Sequence, residues 1–165
     1  MGRLPSEWAK KLITMRIPYE FAGELSLTTG QSGVQYPDAT FMNNIDKPFE
    51  IHRMIPRITA LDNTGLPLTT QPDQDLLQSL VRVQVTDLGK NSPLTKSPTL
   101  LKLLTKGTAE RTWEWAEPYY LVRSEMIQVV CDALPFPAIQ GLNALRVEIS
   151  FQGFLVVVAP PSESR

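Results

Sequence analysis

His52 is the single histidine of this chain and Cys131 its single cysteine, so acid–base, nucleophilic and metal chemistry each have few residues to draw on. An imidazole could serve as general base to a serine or cysteine, given hydrogen-bond reach and a third group to orient the ring. No Gly-x-Ser-x-Gly elbow occurs, however, and Cys131 closes the apolar run Met126-Ile127-Gln128-Val129-Val130-Cys131, where a thiol is inert packing. A metal in a double-stranded β barrel takes two or three histidines plus a carboxylate, which one histidine cannot supply. Glu114 and Glu117 are a carboxylate pair of the type that can act on glycosides, but their surroundings read as a solvated loop. Neither a Walker A loop nor a dinucleotide-binding glycine fingerprint is present. The opening Met1-Gly2-Arg3-Leu4-Pro5-Ser6 fits the loose myristoylation pattern, a match too short to carry weight. His52 therefore reads as structural, projecting from a strand face beside Arg53. No catalytic residue, metal or cofactor is expected.

The conspicuous cluster is aromatic. Arg111-Thr112-Trp113-Glu114-Trp115-Ala116-Glu117-Pro118-Tyr119-Tyr120 holds two of the three tryptophans and two of the four tyrosines. In an extended chain Trp113 and Trp115 share a face, with Glu114 opposite and Pro118 bending the strand. The indoles either fill a core or form an exposed platform for sugar rings or a protein partner, since Trp, Tyr and Arg are enriched at binding hot spots. The preceding Ser97-Pro98-Thr99-Leu100-Leu101-Lys102-Leu103-Leu104-Thr105-Lys106-Gly107 reads as a short helix with Ser97 as N-cap, Pro98 at the first position and a Lys-Gly close. Leu100, Leu101, Leu103 and Leu104 exceed what one helical face can bury, which favours an interface reading. Candidate interface residues are Leu100, Leu101, Leu103, Leu104, Arg111, Trp113, Trp115 and Tyr119, with Trp8, Leu12 and Ile13 from the amphipathic N-terminal segment.

The elements that must carry these residues are mostly strands. Leu145, Val147, Ile149 and Phe151 alternate with Arg146, Glu148, Ser150 and Gln152, a half-buried strand. Past Gly153 the run Phe154-Leu155-Val156-Val157-Val158 is apolar on both faces and must be covered twice, with Gly153 as a bulge or bend. Val81 to Thr86 is a second clean half-buried strand, and Ile17 to Leu27 reads as another. Phe49 to Leu61 predicts a bulged edge strand, because the apolar register slips at Met54-Ile55 and Pro56 removes a ladder donor. Thr28 to Asp38 reads as a flexible loop, Asp62-Asn63-Thr64-Gly65 as a turn, and Asp73 to Leu80 as one or two helical turns with acids at the start. Residues 4–13 suggest a short amphipathic helix or an ordered arm. The fold class expected is all-β: an antiparallel β-sandwich of jelly-roll type, under a fifth helix, with one or two short helices and an extended N-terminal arm.

Composition agrees. At 165 residues the chain makes one domain with a proper core. Hydrophobic residues make up 42% and charged residues 20%, with 16 basic against 17 acidic side chains and a net charge of −1. Without a block of positive charge, nucleic acid is an unexpected partner. No run approaches the ~18 apolar residues of a membrane span, and Met1 to Phe21 lacks a signal peptide's apolar region, so an intracellular origin is expected. A lone cysteine allows no intrachain disulfide. The expected layout is residues 1–48 as arm, first strand and loop, 49–160 as sandwich core, and 161–165 as a tail.

The strings Phe49-Glu50-Ile51-His52-Arg53-Met54, Leu80-Val81-Arg82-Val83, Ser97-Pro98-Thr99-Leu100-Leu101, Arg111 to Tyr119 and Leu145 to Phe154 together resemble auxiliary head proteins of tailed bacteriophages, the jelly-roll decoration or cement proteins. The resemblance spans roughly residues 49–160. It implies a non-enzymatic protein of the virion surface, made in the host cytoplasm, that binds the major capsid protein and itself, commonly as a homotrimer. It brings no catalytic residues, and extended termini of such proteins often reach across the shell. Two other readings stand beside it: a carbohydrate-binding sandwich using Trp113, Trp115, Tyr119 and Tyr120, and an enzyme using His52.

Overall fold

A computed structural model describes residues 13–105 and 111–159. Among these, 54% lie in strands and 6% in helices, within the expected limit on helix. In chain order the strands are β1 (Ile13–Thr28), β2 (Val34–Gln35), β3 (Phe49–Leu61), β4 (Val81–Asp87), β5 (Ser92–Pro93), β6 (Thr99–Leu100), β7 (Trp113–Leu121), β8 (Ile127–Ala133) and β9 (Ala144–Val158). Two short helices, α1 (Gln74–Gln78) and α2 (Leu101–Leu104), interrupt them. Trp8 and Leu12 lie outside the described residues, and Ile13 opens β1.

One sheet has the order β1-β9-β3-β7; the other has β2-β8-β4-β5, with β6 also pairing β4. Every pairing is antiparallel. If β5 and β6 are taken as two halves of one position, the chain alternates between the sheets at every step but the one from β4 to β5/β6, the strand order of a jelly roll. The chain's first and last described strands are thus neighbours, and β9 lies in the interior of its sheet.

The core forms where the two inner faces meet. Leu145, Val147, Ile149 and Phe151 of β9 are all fully buried, as their alternation predicts, and face Val81, Val83 and Val85 of β4 and Val129 and Cys131 of β8. At one end Tyr19, Phe21 and Phe49 pack edge-to-face, with centroids 4.8–5.6 Å apart. At β1 a close approach requires Gly23, because a Cβ there would lie 2.4 Å from Thr40 Cγ2 and 3.1 Å from the Tyr36 ring. Tyr36 in turn donates its hydroxyl to the Val147 carbonyl at 2.8 Å, so this buried phenol keeps a partner.

Three expectations need correction. First, β3 is an edge strand only in its second half: from Phe49 to Met54 it lies between β9 and β7. Its bulge falls at His52, two residues before the apparent slip, and switches the inward set from Phe49 and Ile51 to Met54, Ile58 and Ala60. β9 keeps its register with β1 through Gly153, so the irregularity belongs to the partner strand. Gly153 is needed there because a Cβ would sit 1.8 Å from the Glu50 carbonyl oxygen. Second, Ser97 and Pro98 do not start a helix. Thr99 and Leu100 pair instead with Val83 and Arg82 on β4, and α2 begins only at Leu101. A two-turn helix is marginal, and the ladder offered by a neighbouring strand outweighs its cap. Third, the loop after β1 contains a strand: Gly30 and Gly33 take positive φ, and Val34–Gln35 pairs with β8.

The free side of β3 shows how one edge is closed. The Ile58 and Ala60 amides donate to the Gln74 and Gln71 side-chain oxygens at 3.3 and 2.8 Å. The two glutamine NH2 groups return bonds to the Ile58 and Ala60 carbonyls at 2.6 and 2.9 Å. Two side-chain amides thereby imitate a strand. Backbone groups of one parity point to one side, so Pro56, two residues before Ile58, lacks its donor on this same side and forfeits no bond to β9. Asp73 caps α1 by accepting from the Asp75 amide at 2.7 Å, which presents Gln74 to β3.

Candidate functional site

The most connected polar group is Glu50, a carboxylate that is only 1% exposed. Alternation in β3 sends Phe49 and Ile51 inward and Glu50 to the outer face, where three side chains close over it. Arg16 of β1 reaches across β9 and donates from Nε to Oε1 at 3.2 Å and from Nη2 to Oε2 at 3.3 Å. The Tyr120 hydroxyl of β7 donates to Oε2 at 2.8 Å. His52 Nε2 lies 2.6 Å from Oε1, a reach the bulge permits by placing His52 beside Glu50. The His52 ring stands edge-on to Phe154, 5.3 Å away. Burial alone would raise the Glu50 pKa, but hydrogen bonds from Arg16, His52 and Tyr120 outweigh it and hold the carboxyl below its ordinary range. The same burial, with the carboxylate alongside, pushes the Tyr120 phenol up to about 12.

A second buried carboxylate, Asp87 at the end of β4, is fully enclosed. It accepts from the Tyr119 hydroxyl and from Lys90, whose amide and Nζ each lie 3.0 Å from a carboxylate oxygen. Lys90 Nζ also sits 4.8 Å above the Tyr119 ring and 3.5 Å from Glu125. Desolvation opposes ionisation of Asp87, and the bonds from Tyr119 and Lys90 overcome it, so this carboxyl too titrates low.

These clusters hold charge and fix strands. Glu50 orients the His52 imidazole as a third group would in a triad, but the triad's nucleophile has no counterpart in Cys131. That thiol is buried on β8 in the other sheet, and burial, helped by Asp132, pushes its pKa up to about 12, which keeps it protonated. Among the described residues no group of three or more His, Cys, Asp or Glu could hold a metal ion. Nor is any described helix long and apolar enough to cross a membrane.

Beside the Glu50 cluster the outer face carries an open groove of about 780 Å³. Phe154, Arg53, Glu114 and Gln152 line it from the outer face, while Tyr19 and Trp115 border it with rings that pack inward, on Phe49 and Phe151 respectively. Its outline follows from two irregularities. Ile51 pairs with Tyr119 and Arg53 with Glu114, so the single residue His52 opposes Trp115 to Pro118 on β7. The extra residues fold out as a wide bulge, where Pro118 needs no ladder partner.

The sequence-derived interface residues fall into separate places. Trp113 and Trp115 stack on each other with centroids 4.5 Å apart, and both are half-buried against the core, as is Tyr119. Leu101 is fully buried and belongs to the core, Leu100 and Leu104 are half-buried, and Leu103 is 58% exposed. Arg111 pairs with Asp73 and Asp75 at 3.4 and 3.5 Å, next to α1. Ile13 lies at the far end of β1, paired with Val158. Glu50, Arg16, Asp87 and Lys90 were not singled out by sequence. The alternation around Glu50 was a usable signal for one of them; Arg16 stands 34 positions away with nothing local to mark it.

The class defined by this architecture is the all-β jelly-roll sandwich. No protein-family model matches the chain, and no curated protein sequence matches it.

Proposed function

We propose that this protein is a non-enzymatic structural component of a virion, a decoration or cement protein that binds the major capsid protein and acts as a homotrimer. The observation that carries the reading is the interleaved strand order, β1-β9-β3-β7 against β2-β8-β4-β5, an architecture in which viral capsid domains are well represented. Fold alone is an analogy, and the resemblance of the strings from Phe49 to Phe154 adds to it. The surface offers anchors suited to such work: Leu103 and Met15 are each 58% exposed, and Ile17 is 40% exposed at the start of β1. Joining three copies about one axis raises the effective concentration of the second and third shell contacts, so avidity can exceed single-site affinity by about 10²–10⁴.

The test is mass measurement of the free protein together with co-sedimentation on capsids lacking it. A stable trimer that pellets with shells is the expected result. Leu103→Asp should reduce retention without unfolding the sandwich, and His52→Ala should leave retention intact. A monomer that binds shells as tightly as a trimer, or no binding to any shell, rejects the proposal.

A further inference from the structure

On the outer face of β1, β9 and β3, three consecutive rows of side chains read across the strands as Glu20-Gln152-Arg53, Ala22-Ser150-Ile55 and Glu24-Glu148-Arg57. The pairing registers fix these rows, because residues two apart on a strand point to the same face. In the first and last rows the β1 end is acidic and the β3 end basic. In the middle row the β1 end is small and the β3 end is a branched apolar side chain. Above Ala22 and Ser150 the surface sinks into a depression of about 450 Å³, bordered by Ile55. Glu20, Ala22, Glu24 and Arg57 are exposed, and among the described residues Glu20, Glu24 and Arg57 form no ion pair.

Each row is therefore the complement of its own reversal. A two-fold axis running along β9, just outside this face, reverses the strand order and keeps each row at its own height. It lays β1 of one copy over β3 of another, so Glu20 meets Arg53, Glu24 meets Arg57, and Ile55 enters the depression over Ala22. Symmetry repeats every contact, so each charge pair occurs twice. The one like pair, Glu148 on Glu148 at the axis, has Arg57 beside it on its own sheet and Arg146 two residues along β9. Face-packed sheets cross at about 30°, which keeps these central rows aligned and lets the outer ones drift apart. A partner of a single charge sign would meet its like on one side of the patch.

We propose that this outer face is a self-complementary docking surface for a second copy of the chain, related by a two-fold axis parallel to β9. With the flanking rows from Pro18 to Ser26, the three strands present roughly 400 Å² of face, against about 800 Å² per partner in a standard complex. The contact is accordingly weak in free solution and fills where copies are concentrated. It does not rest on the trimer: a two-fold contact doubles whatever unit the free protein forms, a monomer into a dimer or a trimer into a hexamer.

The experiment is sedimentation of the full-length protein from about 0.01 to 1 mM, in low and in high salt. Concentration-dependent doubling that salt weakens is the expected result. Glu24→Arg sets arginine against Arg57 at both contacts, and Arg57→Glu sets glutamate against Glu24. Each should weaken doubling by about 100-fold or more at unchanged melting temperature. An equal mixture of the two variants should regain it, since opposite charges then face each other at both contacts. Three results would overturn the proposal: no doubling of the parent at about 1 mM in low salt, parental doubling in both single variants, or a mixture that associates no better than its components. A trimer that never doubles rejects this contact alone, and doubling without a trimer rejects the trimer alone.

Discussion

Tyr119 and Tyr120 are adjacent on β7, yet their hydroxyls end on two different buried carboxylates, Asp87 and Glu50. Alternation along the strand sends Tyr119 toward β4 of the opposite sheet and Tyr120 onto the outer face of its own. One dipeptide thus ties the edge strand β7 to both layers. Each carboxylate is further neutralised by a cation, Lys90 or Arg16. Removing a carboxylate strands its donors as well as the charge.

Acid sensitivity follows from this arrangement. Both carboxyls titrate below their ordinary range when folded, so the unfolded chain binds their protons first as pH falls. Their stabilisation is complete above about pH 5 and is lost as pH drops through about 4 and below. Glu50→Gln and Asp87→Asn should each cost about 2–4 kcal/mol at neutral pH, since the partner cations are part-exposed and can rehydrate. Urea unfolding from pH 7 to 3 should show a flatter acid decline in the double variant than in the parent. Parallel declines would mean that other groups govern acid stability.

Gly153→Ala should be among the most damaging single-methyl additions, because the new atom meets backbone at 1.8 Å. A cost of about 3 kcal/mol or more is expected. Gly23→Ala meets the movable Thr40 side chain at 2.4 Å and should cost less. Denaturant midpoints of the two variants check the order, and equal effects would show that the β3 bulge relaxes.

Gln71→Ala combined with Gln74→Ala should open the second half of β3. The Ile58 and Ala60 amides lose their acceptors, and a global cost of about 1–3 kcal/mol is expected. Hydrogen exchange at those two amides should accelerate far more than at Val147 or Val83, and the variant should aggregate more readily through the uncovered edge. Unchanged protection at Ile58 and Ala60 would refute the capping role.

Val147→Asp places an unpaired carboxylate among fully buried side chains and should cost more than about 4 kcal/mol. Ser26→Asp, exposed on the outer face opposite Arg146, should stay within about 0.5 kcal/mol. Thermal melts of the pair test the assignment of faces directly.

Legibility from sequence divided along physical lines. The alternations in β4 and β9 identified both strands and their buried faces, because a period of two depends only on neighbouring residues. Asp73 and Asp75 likewise marked α1 locally. The failures share a non-local cause. Ser97 and Pro98 promised a helix, but the β4 edge captured Thr99 and Leu100. Pro56 suggested an edge strand, which holds only beyond Met54, where β7 stops pairing. β1 begins at Ile13, four residues before its visible pattern, because β9 supplies the ladder there. The Glu50 cluster was hidden for the same reason: its members come from β1, β3 and β7, and only the strand order brings them together.

The position of β9 also constrains the order of events during synthesis. β1 and β3 each pair with β9 along most of their lengths and not with each other. While the ribosome is still making residues 144–158, both strands therefore wait with their facing edges unsatisfied. The first sheet closes only when β9 emerges and inserts between them, a long-range step of the type that slows folding and leaves nascent strands open to association with other chains. A stop codon anywhere before Ala144 would leave two strands with no common partner, so premature termination should yield insoluble chains rather than a smaller sandwich.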